Sequence, residues 1–214
     1  MTLPRCHVVT NDDVLARAGF LAAAHAVLRH GGPEVALHVR GPGTGGLHVF
    51  EAVSDLKAVA DEAGAWLFVN DRVDVALACG ARNVQLGARS LPAPVARSLI
   101  GEDCCIGVSC HGVDQMSLAA RDGADFTFVG TLFPTPSHPQ AEGLRIEEVR
   151  AVHAASGDRP WIGIGGIGLE QVSTVLASGA FGFAVVRGVW DAAEPGQAVQ
   201  QYLEALRLAP IGEA

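Results

Sequence analysis

Short apolar runs alternate with longer amphipathic stretches along the whole chain. Apolar runs bounded by glycine, proline or polar residues are typical of strands that are buried on both faces. The predicted strands span residues 5–10, 34–40, 66–70, 83–86, 105–109, 126–130, 161–165 and 182–186. The predicted helices, in which apolar residues recur with helical spacing, span residues 14–30, 47–63, 73–79, 93–100, 113–121, 146–155, 169–177 and 195–207. This alternation predicts βαβ units and a parallel sheet.

The number of these units indicates how the sheet is completed. About eight strands, each followed by a helix, favour a closed barrel over an open, doubly wound sheet. The chain has 214 residues, of which 49% are hydrophobic, and this is enough for one domain with a large core. We therefore predict an α/β protein that is a single (β/α)8 TIM barrel over residues 1–214.

Charge and cysteine content narrow the choice of partners and compartment. The formal net charge is −8 and no basic stripe is present, which argues against a nucleic-acid or anionic-membrane partner. The first residues lack the apolar segment of a signal peptide, and no apolar run approaches the length of a membrane span. The five cysteines lack a C-x-x-C pair, so we expect reduced thiols in a cytoplasmic protein.

Glycine-rich segments follow the last two predicted strands, with Gly165 and Gly166 after the seventh and Arg187 and Gly188 after the eighth. Glycine lets backbone N–H groups approach an anion, and a (β/α)8 barrel commonly binds phosphate at these two strand ends. We therefore predict a phosphate site at these four residues. Residues 163–168 also match the dinucleotide fingerprint G-x-G-x-x-G, but too little chain follows them for a Rossmann sheet. A simpler alternative is that the glycines serve only tight turns and close packing.

Polar side chains follow most of the other predicted strands. The loops after the strands carry the function in this fold, so several polar loops at one end are a stronger signal than any one of them. Asp71 also has a simpler explanation as a helix N-cap, and Ser109 or Thr135 as partners of loop backbone. The predicted substrate-binding residues are His38, Arg40, Asn70, Asp71, Arg89, Ser109, Thr135 and Ser137.

Five segments of these loops together resemble one known family. They are V-N-D-R-V-D-V-A at 69–76, V-Q-L-G at 84–87, G-V-S at 107–109, V-G-T-L-F-P-T at 129–135 and I-G-G-I at 164–167. In this order and spacing they resemble the thiamine-phosphate synthase superfamily, which comprises the synthase and its relative TenI, a thiazole tautomerase. The resemblance covers nearly the whole chain. It implies the (β/α)8 fold, a phosphorylated thiazole as the ligand and a small homo-oligomer.

The resemblance implies two alternative activities. The synthase joins a pyrimidine pyrophosphate to thiazole phosphate and holds Mg²⁺ on two carboxylates, of which Asp71 is one while Ser90 replaces the other. Two lysines of its pyrophosphate site are replaced by Pro42 and His138. The tautomerase shifts a proton on a thiazole carboxylate phosphate without metal or pyrophosphate, and residues 84–92 resemble that branch. We therefore expect no cofactor, and Mg²⁺ at Asp71 belongs to the synthase alternative.

The group that would move the proton is a separate question. The tautomerase carries a catalytic histidine directly after the sixth-strand glycine, where this chain has Thr131, and threonine is a poor general base near neutral pH. Our first candidate is His138 in the following loop, because the pKa of histidine suits proton transfer. His111 in the preceding loop is the second candidate. A Cys110 thiol activated by His111, and His38, are further alternatives.

Three functions are compatible with these residues. The leading hypothesis is a metal-independent isomerase, a TenI-like thiazole tautomerase of thiamine biosynthesis. The alternatives are a Mg²⁺-dependent thiamine-phosphate synthase with an altered pyrimidine pocket, and a non-catalytic binder of a phosphorylated heterocycle. The fold cannot choose among them, because barrels host many reactions. Metal dependence separates the first two.

Overall fold

Eight parallel strands close on themselves in chain order in the computed structural model, which describes residues 2–135 and 143–209. Each strand pairs with the next along the chain, and β8 pairs with β1. The strands are β1 (Cys6–Val9), β2 (Val35–Val39), β3 (Trp66–Asn70), β4 (Asn83–Leu86), β5 (Cys105–Cys110), β6 (Phe126–Val129), β7 (Trp161–Ile164) and β8 (Gly182–Val185). The predicted (β/α)8 barrel is confirmed.

Helices surround the barrel, and two of them differ from the prediction. The predicted helix 14–30 is two helices, because Gly19 between them has a φ of 81° in the left-handed region. A one-turn helix that was not predicted, α9, follows β8. The helices are α1 (Asp12–Leu15), α2 (Phe20–Gly31), α3 (Gly46–Ala63), α4 (Val73–Cys79), α5 (Ala93–Ile100), α6 (Val113–Arg121), α7 (Ile146–Ser156), α8 (Val172–Ala177), α9 (Arg187–Trp190) and α10 (Pro195–Leu208). Within the two described ranges, none of them combines the length and the apolarity that a membrane crossing needs.

Side chains of the strands alternate between two apolar layers. Outward residues such as Leu37 and Val69 pack against the helices in the larger hydrophobic cluster. Inward residues such as Phe68, Phe126 and Phe128 fill the barrel in a separate cluster. Because both faces of every strand are covered, the strands are largely apolar, which is why the sequence pattern identified them.

The barrel interior is aromatic and contains two histidines. Phe126 contacts both Phe68 and Phe128, and these rings contact those of His7 and His38; all five residues are buried. The ring of His38 stacks on that of Phe68 with the centroids 4.4 Å apart. These rings fill the barrel interior, so a ligand is expected above them, at the carboxyl ends of the strands.

Candidate active site

The predicted site residues gather at one end of the barrel, because all eight strands run in the same direction. We call this end the mouth and define it as the residues that follow the carboxyl ends of the strands. It includes Arg40 after β2, Asn70 and Asp71 at the end of β3, Arg89 after β4, Ser109 in β5, Thr131 and Thr135 after β6, Gly165 and Gly166 after β7, and Arg187 and Gly188 after β8. The predicted residues Ser137 and His138 lie outside the described residues.

One side of the mouth, the glycine half, consists of the loops after β6, β7 and β8. Gly165 and Gly166 have φ of 100° and 66°, and a Cβ on Gly166 would lie 2.7 Å from the carbonyl oxygen of Phe133. The loops are joined by hydrogen bonds from Leu132 N–H to Ile164 O (2.9 Å) and from Phe133 N–H to Gly165 O (3.0 Å). The glycines therefore do serve turn and packing, as the simpler alternative held. In the described part of the chain no carbonyl accepts from Gly166 N–H, so this donor is available to an anion.

Arg187 and Gly188 complete the glycine half at the start of α9. A Cβ on Gly188 would lie 1.9 Å from the hydroxyl of Tyr202 on α10, so this glycine also makes room for a neighbouring side chain. The Tyr202 hydroxyl donates to the carbonyl of Ile167 at 3.4 Å, which ties α10 to the loop after β7. Arg187 is exposed and forms no ion pair with another described residue. Its guanidinium is thus available for a phosphate.

The opposite side, the acidic half, consists of the residues after β2, β3 and β4 and is organised around Asp71. Asp71 has a φ of 64°, in the left-handed region that Asp and Asn tolerate better than other side chains. Its Oδ1 accepts from Gly87 N–H at 2.9 Å and from the hydroxyl of Ser90. The N-cap explanation is wrong, because Arg72 occupies the N-cap of α4. Asp71 instead joins the loops after β3 and β4.

Arginines also lie on the acidic half. Arg40 is held through its backbone, since its N–H donates to Thr10 Oγ1 and its carbonyl accepts from the same hydroxyl, both at 2.8 Å. Neither Arg40 nor Arg89 forms an ion pair within the described residues, whereas Arg72 pairs with Asp74. In a chain of net charge −8, unpaired guanidinium groups at the mouth favour an anionic ligand.

His38 does not lie at the mouth, contrary to the prediction. Its ring points into the barrel, has no exposed surface, and contacts His7 through Nε2 at 2.8 Å from His7 Nδ1. Burial and the neighbouring His7 hold the pKa of His38 well below its ordinary value. Because the ring is inaccessible and resists protonation, His38 is a poor general base, and that alternative is dropped. Asn70 on β3 reaches the mouth with 9% exposure.

Ser109 is held by a buried residue that the sequence reading missed. Gln85 on β4 donates from Nε2 to Ser109 Oγ at 3.1 Å, and its Oε1 lies against Gly107, where a Cβ would be only 2.0 Å away. Gly107 is therefore needed to accommodate this amide. The available signal was a glutamine between Val84 and Leu86 in a strand, since buried polar groups usually make specific hydrogen bonds.

Two candidates for proton transfer lie at the junction of the glycine half with β5. His111 is exposed and donates from Nδ1 to the carbonyl of Gly130 at 2.9 Å, which leaves Nε2 as the acceptor in the neutral ring. Thr131 packs against Gly165 through its methyl group. Burial raises the pKa of Cys110 to about 11, so its thiol stays protonated near neutral pH. The activation of Cys110 by His111 is therefore wrong.

Comparison with known proteins identifies the family. A sequence profile described as thiamine monophosphate synthase matches residues 6–189. The chain belongs to this family. A thiamine-phosphate synthase of Mycolicibacterium smegmatis is 37% identical over 216 residues, covering 97% of this chain and 95% of that protein. Another, of Acidothermus cellulolyticus, is 43% identical over 147 residues and 68% of each chain. These names favour the synthase over the tautomerase that the sequence led us to expect.

Solved structures agree with the family at the level of the fold. A thiamine phosphate pyrophosphorylase from Pyrococcus furiosus has a TM-score of 0.80 and 28% identity, covering 95% of this chain and 96% of that one. KGPDC from Streptococcus mutans, in complex with D-R5P, has a TM-score of 0.72 at 14% identity, and this shows the shared fold alone.

The synthase alternative requires Mg²⁺, so the residues of the acidic half have to be suitable ligands for this ion. The position of the second carboxylate is Ser90, and its hydroxyl donates to Asp71, so the two positions do lie side by side. Asp71 Oδ2 accepts no hydrogen bond from a described residue and remains for a cation. Mg²⁺ in proteins commonly uses one or two carboxylates together with substrate phosphates, so Asp71 fits as a single protein carboxylate. No group of three His, Cys, Asp or Glu that could hold a metal occurs in the described ranges.

Proposed function

We propose that this protein is a thiamine-phosphate synthase that joins a pyrimidine pyrophosphate to thiazole phosphate and releases pyrophosphate. The observation that carries the proposal is that guanidinium groups without an ion pair among the described residues lie on both halves of the mouth, Arg187 on one and Arg40 and Arg89 on the other. A transfer between two phosphorylated substrates needs two such places, whereas an isomerisation of one phosphorylated thiazole needs only one. The synthase names of relatives that cover nearly the whole chain support the same choice.

In this proposal, each half of the mouth binds one of the two substrates. The glycine half holds the thiazole phosphate through Gly166 N–H and the guanidinium of Arg187. The acidic half holds the pyrophosphate through Arg40 and Arg89. The thiazole then faces the carbon that bears the pyrophosphate across the mouth, and holding both reactants in this way can supply several kcal/mol of the barrier, about 7 in favourable cases.

In the reaction, the ring nitrogen of the thiazole donates its electron pair to the pyrimidine-bound carbon, and the carbon–oxygen bond to pyrophosphate breaks. The bond electrons leave with the pyrophosphate oxygen, so no proton has to be removed by a general base. This agrees with Thr131 at the position where the tautomerase carries histidine. Asp71 would hold Mg²⁺, which would neutralise charge that develops on the leaving pyrophosphate. The arginines Arg40 and Arg89 orient the same group.

The test is a reaction of the purified protein with both substrates, in Mg²⁺ and in EDTA. We expect equal amounts of thiamine phosphate and pyrophosphate in Mg²⁺ and neither in EDTA. Isomerisation of a carboxylated thiazole phosphate in EDTA, with no condensation in Mg²⁺, would instead establish the tautomerase, for which His111 Nε2 is the available acceptor among the described residues. Binding of thiazole phosphate without any turnover would leave the non-catalytic binder. Size-exclusion chromatography with light scattering would test the homo-oligomer that the family resemblance implies.

A further inference from the structure

The loop after β2 spans residues 40–46 and consists largely of glycine, a composition that is typical of flexible segments. The structure nevertheless holds this loop in place. It contains a turn in which Thr44 N–H donates to Gly41 O at 3.0 Å, and Pro42 is the second residue of the turn, where its fixed φ is favourable. A Cβ on Gly41 would lie 2.6 Å from the side chain of Leu15. The turn therefore packs directly against α1.

Two side chains that follow β1 hold the backbone of this loop. The Thr10 hydroxyl accepts from Arg40 N–H and donates to Arg40 O, both at 2.8 Å, so one side chain satisfies both backbone groups just after β2. Asp12 Oδ1 accepts from Gly43 N–H at 3.0 Å and from the Thr44 hydroxyl at 2.6 Å. The chain after β1 therefore fixes the loop at its start and in its middle.

The position of Asp12 is determined by the start of α1. Asn11 is the N-cap of this helix, and its side chain accepts from Val14 N–H at 2.9 Å. Asp12 is the first residue of the helix, and the buried side chains of Val14 and Leu15 attach α1 to the core. The carboxylate that contacts the loop is thus carried by an element that is itself anchored.

These contacts fix the backbone of Arg40 and leave its charge available. The guanidinium forms no ion pair within the described residues, because Asp12 accepts from uncharged groups of the loop. Arg40 is also the only cation of residues 40–46, since Pro42 stands where the synthase pattern has a lysine. A loop that is ordered before its ligand arrives binds more tightly, because the conformational entropy has already been lost.

We propose that Thr10 and Asp12 are positioning residues that fix the loop after β2, so that Arg40 is oriented towards the pyrophosphate before the pyrimidine substrate binds. This inference rests on the proposed function and deepens it, because it identifies two residues that set the pyrophosphate affinity without a contact to the substrate. Thr10 acts through the backbone of Arg40, and Asp12 acts through Gly43 and Thr44.

The hold on the loop is measurable without any substrate. In a 15N-labelled protein, amide hydrogen exchange reports whether Arg40 N–H and Gly43 N–H keep their acceptors. We expect Thr10→Val to speed the exchange of Arg40 N–H about tenfold, and Asp12→Ala to speed that of Gly43 N–H by a similar factor. Unchanged exchange in both variants would overturn the proposal, whether or not the protein is a synthase.

Two substitutions of Thr10 separate positioning from packing. Valine keeps the shape of threonine without the hydroxyl, whereas serine keeps the hydroxyl. We expect Thr10→Val to raise KM for the pyrimidine pyrophosphate about tenfold, with kcat and the KM for thiazole phosphate changed less than about twofold. Thr10→Ser should stay within about twofold of the unmodified protein in each of these values. A rise in both KM values, or equal rises in the two variants, would contradict the proposal.

Substitutions of Asp12 test the same loop without a change in the core, and they separate hydrogen bonding from charge. Asparagine keeps an oxygen that can accept from Gly43 and Thr44, whereas alanine does not. We expect Asp12→Ala to raise KM for the pyrimidine pyrophosphate about fivefold and Asp12→Asn to leave it nearly unchanged. Asp13→Ala removes the same charge at the exposed neighbouring position and is the control. Equal KM values in Asp12→Ala and Asp13→Ala would overturn the role of Asp12.

Calorimetric titration with the pyrimidine pyrophosphate in Mg²⁺ distinguishes this inference from the proposed function. If the unmodified protein and Thr10→Val bind the compound equally well, the positioning role is wrong and the proposed function stands. If neither protein binds it although Arg40 N–H exchanges faster in Thr10→Val, the proposed function fails, and the ligand assigned to Arg40 fails with it. Thr10 would then hold the loop for a structural reason only.

Discussion

The two halves of the mouth are built from different chemical groups of the chain. The glycine half depends on backbone conformation, with positive φ at Gly165 and Gly166 and loops packed too closely for a Cβ. The acidic half depends on side-chain identity, with Asp71 held by the loop after β4 and with Arg40 and Arg89 unpaired among the described residues. In the proposed function, the first half recognises a phosphate by its shape and charge. In the same proposal, the second half decides which reaction follows.

This difference explains where the chain departs from the synthase pattern. The departures that the structure describes, Pro42 and Ser90, both lie on the acidic half, and the glycine segments are kept. A phosphate bound by backbone N–H groups is lost only when the backbone changes. A cation bound by carboxylates changes with each substitution. We therefore expect these two departures to change metal and pyrophosphate affinity and to leave recognition of the thiazole phosphate in place.

The largest expected effect comes from removing the charge of Asp71. Asn at this position tolerates the positive φ and keeps an oxygen that can accept from Gly87 and Ser90, so Asp71→Asn changes little besides the charge. We expect kcat/KM for the condensation to fall about a hundredfold or more, since the only protein carboxylate of the proposed Mg²⁺ site is lost. Thiazole phosphate binding, measured by calorimetry, should stay the same. Full activity in this variant would show that the halves do not differ as described.

The second-largest expected effect comes from a substitution in the glycine half. In Gly166→Ala the new Cβ would lie 2.7 Å from two backbone oxygens, those of Phe133 and Pro134, at a φ of 66°. The loop must shift, and we expect thiazole phosphate to bind about thirtyfold more weakly, equivalent to about 2 kcal/mol of strain. Gly80→Ala is the matched control, because Gly80 has a φ of 63° with nothing within 4 Å of its Cβ. Equal binding in the two variants would refute a backbone-built phosphate site.

Acid should lower the free energy of unfolding, because His7 is buried inside the barrel below the acidic half. Burial lowers the pKa of His7 to about 3, below its ordinary value near 6.5, so the unfolded chain binds a proton that the folded chain refuses. Stability is thus complete above about pH 6.5 and falls as the pH drops, by about 2 kcal/mol for this histidine at pH 5. Urea unfolding at pH 8 and pH 5 measures the loss. His7→Gln should show a smaller loss between the same two pH values, and an unchanged loss would mean that other groups cause it.

The sequence predicted the barrel better than the site, and the reason is physical. Strands covered on both faces are apolar runs, and β3 and β4 were predicted to the residue. An apolar run does not reveal which of its residues point inward, so His38 was placed at the mouth although it lies inside the barrel. The left-handed φ of Asp71 and its hydrogen bond with Ser90 depend on a contact between the loops after β3 and β4. A pattern within a single loop does not predict such a contact.

The smallest expected effect comes from restoring a second carboxylate to the acidic half. Ser90 already contacts Asp71, so Ser90→Asp places a second carboxylate where the synthase pattern has one. We expect the Mg²⁺ concentration for half-maximal activity to fall about tenfold, and calorimetry should show tighter Mg²⁺ binding in the presence of pyrophosphate. Ser98→Asp on α5 adds the same charge at an exposed position away from Asp71 and is the control. If both variants bind Mg²⁺ as the unmodified protein does, Ser90 does not lie at a metal site. In that case the acidic half would not depend on side-chain identity, and it would not differ from the glycine half in the way described above.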